Sequence, residues 1–150
     1  MIAAHEPALD LLEQGVRTRV GAVLIGPSGV GKRTLAHEAA ERLGPAFPKV
    51  SWVRATASSR EIPFAAFERL LEVPETGKTA AVLRSARGAL GDGRLLVIDD
   101  AHLLDSASAA LLYQLAVSRK VRILLTASVD SPRVPPEISA LWQDRLVARI

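Results

Sequence analysis

Cysteine is absent from this 150-residue chain, methionine and tyrosine occur once each, tryptophan twice, and aromatic residues make up only 4%. With no cysteine there is no disulfide to tie the fold together, which fits a reducing cytoplasm. No apolar stretch approaches the ~20 residues that a membrane-spanning helix needs. Met1 to Asp10 has acidic residues and no basic head before an apolar run, so it does not read as a secretory signal. A cytoplasmic location and no membrane partner are expected. Charge of one sign is also scarce: the net charge is +3, and of nineteen basic residues only Lys32, Lys49, Lys78 and Lys120 are lysine. The arginines are scattered (Arg17, Arg42, Arg69, Arg94, Arg122, Arg149), with neither a basic stripe nor a nucleic-acid reading motif. Direct DNA contact by this segment is therefore not expected. What the chain has is an apolar fraction of 49%, which excludes wholesale disorder, and a length suited to one domain, 1–150, with a single core.

The most informative stretch is Gly26-Pro27-Ser28-Gly29-Val30-Gly31-Lys32. An apolar run, Val20 to Ile25, precedes it, and an amphipathic helical pattern, Arg33 to Leu43, follows. Strand, glycine loop and helix in that order are what a G-x-x-x-x-G-K phosphate loop requires. The glycines let the backbone curl so that its N–H groups form an anion nest at a helix N-terminus, and the lysine reaches the β- and γ-phosphates. A plain glycine turn would need neither the lysine nor this spacing. One position departs from the pattern. The hydroxyl that ligates magnesium should follow the lysine, but Arg33 stands there and Thr34 comes next. Successive helical residues point about 100° apart, so Thr34, the nearest hydroxyl for the metal, does not simply inherit the position. Nucleotide binding is expected, with weak magnesium dependence and slow hydrolysis.

Along the chain, a first helix is predicted from about Glu6 to Gln14, with Leu9, Leu12 and Val16 on one face. The loop helix should stop at Gly44-Pro45. Val50 to Ala55 reads as a strand around Trp52, Pro63 opens a helix carrying Phe64, Phe67 and Leu71, and another helix spans about Thr79 to Leu90. Leu95 to Ile98 is a continuous apolar run, as in a strand buried on both faces. A helix from about Ser106 to Ser118, a strand from Val121 to Leu125, a proline-rich loop from Ser131 to Pro136, a short helix reaching Trp142 and a last strand, Leu146 to Ile150, complete the pattern. This alternation predicts an α/β, three-layer P-loop NTPase fold with a mostly parallel five-stranded sheet covered by helices on both faces.

Asp99-Asp100 follows the buried run directly, which puts two carboxylates at the C-terminal tip of a strand, where open α/β sheets bind ligands. Asp99 is the candidate magnesium partner through a water, and Asp100 the candidate to polarise an attacking water. Thr126 ends the fourth strand beside them, where a polar residue senses a γ-phosphate or a β-branched residue simply suits a strand. Asp105 is read as the cap of the following helix, His102 as part of a strand-to-helix turn, and Trp52, Trp142, Phe64 and Phe67 as core.

Together these segments resemble the N-terminal ATPase domain of large LuxR-type transcriptional regulators, a branch of the STAND class of P-loop NTPases related to AAA+ proteins. The resemblance runs through the glycine loop, Ala55-Thr56-Ala57, Ile62-Pro63-Phe64, Leu70-Leu71, Leu96 to Asp105 and Leu141-Trp142. It implies ATP or ADP held by the loop residues Gly26 to Lys32, with Arg33, Thr34 and Thr126 nearby, and Asp99 and Asp100 as the metal-site acid and its neighbour. It also implies a longer regulator, of which this chain lacks the helical lid and the helix-turn-helix domain, with those missing domains, or a second copy through self-association, as partners. Members commonly read Lys-Thr-Arg or Lys-Ser-Arg where this chain has Lys32-Arg33-Thr34. They also carry an arginine where it has Ser128, and both departures argue against full activity. Two rivals remain open: an AAA+ ATPase subunit of clamp-loader type, and a degenerate P-loop scaffold that binds partners without nucleotide.

Overall fold

Five strands, all paired in parallel, form one sheet in the order β2-β3-β4-β1-β5 in the computed structural model. It describes residues 5–27, 31–60, 64–67, 93–128 and 134–150. In chain order these are α1 (His5–Thr18), β1 (Gly21–Gly26), α2 (Lys32–Leu43), β2 (Lys49–Arg54), β3 (Arg94–Asp99), α3 (Ser106–Ser118), β4 (Val121–Ser128), α4 (Pro136–Gln143) and β5 (Val147–Arg149). The α/β layering expected from the alternation is therefore present, and every ladder is parallel.

The strands divide their apolar side chains between two faces by simple alternation. Leu95 and Val97 of β3, Leu124 of β4 and Ala22 of β1 meet Leu9, Leu12, Leu35 and Leu43 under α1 and α2. Leu96, Ile98, Ile123, Leu125 and Val23 point the other way, to Leu111, Leu112, Ile138 and Leu141 of α3 and α4. All of these are nearly or fully buried, and each buried Leu or Ile contributes about 1.5–3 kcal/mol relative to an exposed one. β1 and β4 approach so closely that a Cβ on Gly21 would lie 1.8 Å from the Ile123 carbonyl oxygen, so glycine is required there.

Several expectations need correction. Trp52 is 47% exposed rather than core. Its strand, β2, lies at the sheet edge, where Ser51 and Val53 are buried and Trp52 sets its ring 4.3 Å from that of His37 on α2, centroid to centroid. The loop helix does stop at Gly44-Pro45 as expected: α2 ends at Leu43, and Gly44, in right-handed geometry (φ −48°), leads into a single 3-10 turn, Gly44–Ala46. Thr126 does not end β4, because pairing with β1 continues to Ser128 opposite Gly26. No helix runs through Phe64, whose φ is +62° and which is followed by a 3-10 turn, Ala65–Phe67. Phe64 and Phe67 are buried as expected. Ser28, Gly29, Val30, Ile62, Pro63, Leu70, Leu71, the Thr79–Leu90 helix and most of the proline-rich loop lie outside the described residues.

Candidate nucleotide-binding site

Because the strands are parallel, the turns leaving β1, β3 and β4 share one edge of the sheet, the edge where α/β folds bind ligands. β1 delivers Gly26 and Pro27 and then α2. Gly31, at φ +89°, turns the chain into that helix, and among the described residues no side chain caps the helix N-terminus. The first N–H groups of α2 are thus left for an anion. Lys32 is buried, and its Nζ donates to the Pro27 carbonyl at 2.7 Å, folding the side chain back over the loop.

β4 lies between β1 and β3, so the glycine loop and the acids are one strand apart. Ile98 pairs with Leu125 and Leu24 with Thr126, which sets Asp99, Thr126 and Leu24 in one row. By alternation Asp99 shares the α2 face of β3 with Leu95 and Val97. There the first turns of α2 present Arg33 and His37, which are four apart and therefore on one helical face. His37 Nε2 lies 3.1 Å from Asp99 Oδ2, and Arg33 Nε lies 3.7 Å from the same oxygen. Arg33 also places a terminal nitrogen 3.4 Å from Asp100 Oδ2. The other carboxylate oxygen of Asp99, Oδ1, is buried with no hydrogen-bond partner among the described residues.

Asp100 has left-handed backbone geometry (φ 58°, ψ 49°), a conformation that aspartate tolerates better than bulkier residues. Two bonds hold it: its N–H donates to Thr126 Oγ1 at 2.9 Å, and its carbonyl accepts from the Leu103 N–H at 2.8 Å. Thr126 accepts with its hydroxyl oxygen, so its own O–H proton remains to donate elsewhere. His102 Nδ1 accepts from the Ser128 N–H at 3.0 Å, a second tie between the turn after β3 and the tip of β4. Burial lowers the pKa of His102. Lys32 and Arg60 act in the same sense, and Asp100 opposes them. A neutral ring that accepts at Nδ1 carries its proton on Nε2. Asp105 caps α3 through Ser108 N–H, as expected, and the same carboxylate oxygen, Oδ2, also accepts from Phe64 N–H, both at 2.9 Å.

The sequence-derived residues thus fall into two groups. Lys32, Arg33, Asp99, Asp100 and Thr126 are gathered at one edge, whereas Thr34 is exposed on α2. His37 and the His102–Ser128 tie were missed. The signal for His37 was its i+4 spacing from Arg33, once α2 is known to cross β3. For magnesium the donor set fits poorly. Arginine replaces the ligating hydroxyl and offers no lone pair. Asp99 supplies one unpartnered oxygen, and no group of three His, Cys, Asp or Glu residues able to hold a metal occurs among the described residues.

A parallel α/β sheet with a glycine loop and lysine after β1 and acids after β3, one strand apart, defines a P-loop NTPase-type domain. Residues 16–130 match the model of the AAA domain family, and the chain belongs to that family. Its fold is similar to that of Pif1 helicase from Candida albicans, with 17% identity and a TM-score of 0.63 over 100% of this chain and 39% of that one. It is also similar to the RuvB Holliday junction branch migration motor of Thermotoga maritima (23% identity, TM-score 0.52, 91% of this chain, 41% of that one). A DNA replication initiation factor is comparable, at 15% identity and a TM-score of 0.60, covering 98% of this chain and 44% of that one. The chain therefore spans about two-fifths of the length of these structures. No curated protein matches it in sequence.

Proposed function

We propose that this AAA-type P-loop domain binds ATP or ADP between the Gly26–Lys32 loop and the Asp99-Asp100 turn, and serves as the nucleotide-operated switch of a LuxR-type transcriptional regulator. The observation that carries the reading is the convergence of Lys32, the uncapped start of α2, Asp99, Asp100 and the Thr126 hydroxyl on one edge of a parallel sheet. Lys32 and the α2 N–H groups hold the phosphates, Thr126 donates to the terminal phosphate, and Asp100 orients a water. Hydrolysis is slow, since the position that normally completes the site carries Arg33. The regulator's lid and DNA-binding domain, and a second copy where the domain self-associates, are the partners in this reading.

Thermal unfolding with ATP, ADP or GTP tests it. A ligand at one hundred times its Kd stabilises by about 2.7 kcal/mol, a readily measured rise in Tm. No rise with any nucleotide sinks the switch and leaves a nucleotide-free scaffold. A second reading, an ATPase motor subunit, draws support from the AAA family match and the likeness in fold to a branch migration motor. Nucleotide-dependent assembly, with turnover above the monomer's, selects it.

A further inference from the structure

Arg33 occupies the place where a P-loop normally presents its metal-ligating hydroxyl, and its guanidinium lies against both acids of the site, 3.7 Å from Asp99 and 3.4 Å from Asp100. We propose that this guanidinium substitutes for the divalent cation, so that the site binds nucleotide without magnesium. The inference rests on the nucleotide-binding reading above and concerns how the same site balances charge.

Three features carry it. First, Lys32 and Arg33 put two fixed positive charges on the first turn of α2, where a P-loop otherwise has one and relies on the ion for the rest. Second, a guanidinium presents forked donors that match phosphate oxygens bidentately. With its side chain 46% exposed, Arg33 keeps donors open to solvent and so to an entering phosphate. Third, in the free protein the acids are engaged by side chains of α2. Asp99 Oδ2 is shared by Arg33 and His37, and magnesium demands a near-octahedral oxygen shell. Asp99 Oδ1 is buried and, among the described residues, unpartnered, Asp100 Oδ2 is engaged by Arg33, and Thr34 is exposed. The acidic pair then acts as a cradle for Arg33 in the free protein, releasing it to phosphate when nucleotide enters.

The test is binding of fluorescently labelled ADP and ATP to the whole chain, in EDTA and in magnesium chloride. Parallel titrations use the exchanged variant Arg33→Thr with Thr34→Arg, which keeps composition and net charge. The wild type should bind with less than a fivefold difference between the two buffers. The exchanged variant should lose fivefold or more in EDTA and recover in magnesium. A wild type that weakens fivefold or more in EDTA overturns the substitution while leaving nucleotide binding intact, as does an exchanged variant that keeps its affinity in EDTA. Absence of binding in both buffers removes the nucleotide site itself, and this inference with it. The wild-type arm needs no variant to fold, and circular dichroism checks the exchanged one.

Discussion

Replacing Lys32 by alanine isolates the contribution of the loop lysine. In the free protein its Nζ already donates to the Pro27 carbonyl at 2.7 Å, so nucleotide must exchange that bond for one to phosphate. A hydrogen bond to a charged partner contributes about 1.5–3 kcal/mol, against about 1 kcal/mol for a neutral one. The exchange and the added Coulomb attraction therefore favour binding by about 1.4 kcal/mol or more, a factor of ten in Kd. Lys32→Ala should weaken ADP and ATP at least tenfold by isothermal titration calorimetry. Its effect on stability should be small, because the lost bond to Pro27 is offset by no longer burying an ammonium group. A variant that binds as tightly as the wild type refutes the loop assignment. A variant that unfolds shows that the Pro27 bond is a structural clamp.

Asp99→Asn should leave the domain folded and tighten nucleotide binding several-fold in EDTA, because it removes a negative charge and frees Arg33; weaker, magnesium-sensitive binding would instead mark Asp99 as a metal acid. Asp105→Ala strands the Ser108 and Phe64 N–H groups and should cost about 2–6 kcal/mol in urea unfolding, at about 1–3 kcal/mol for each buried group left unpaired. A loss below about 1 kcal/mol would show that water replaces the carboxylate. His102 has a lowered folded pKa, so its neutral form is favoured in the fold, and wild-type stability should fall as pH drops below the ordinary value of 6.5. His102→Asn keeps an acceptor for the Ser128 N–H without titrating, so its Tm should decline less from pH 7.5 to 5; parallel curves would remove His102 from the acid response.

Where local chemistry decided the structure, the sequence was readable. The apolar run Leu95 to Ile98 became a strand buried on both faces, and the helix from Ser106 to Ser118 begins where Asp105 caps it. The strand and helix flanking the glycine loop could be placed because strand, glycine and lysine follow one another within a dozen residues. Trp52 was misjudged because its exposure depends on the position of β2 in the sheet order, which no local pattern records. Phe64 takes a left-handed conformation that its own side chain disfavours, held by the carboxylate of Asp105 forty-one residues away. His37 belongs to the site only because α2 crosses the tip of β3, a fact of topology and not of composition.

The bonds around the acids differ in kind, and the difference bears on how such a site could switch. Asp100 is fixed through its backbone, to Thr126 and to Leu103, and the same turn is tied to β4 by His102 and the Ser128 N–H. These partners are largely buried, and breaking such a bond strands a donor away from water, at about 1–3 kcal/mol each. By contrast, polar contacts from α2 to the acids are made by Arg33 and His37, whose side chains are 46% and 44% exposed. Exposed ion pairs are worth about 0–1 kcal/mol. Phosphate drawing Arg33 away would give up little, while the turn after β3 and the tip of β4 would keep their geometry. On the nucleotide-binding reading proposed above, the acids form a firmly tied cradle facing an exposed cation, and a change of nucleotide would register first as a change in how α2 is held to β3.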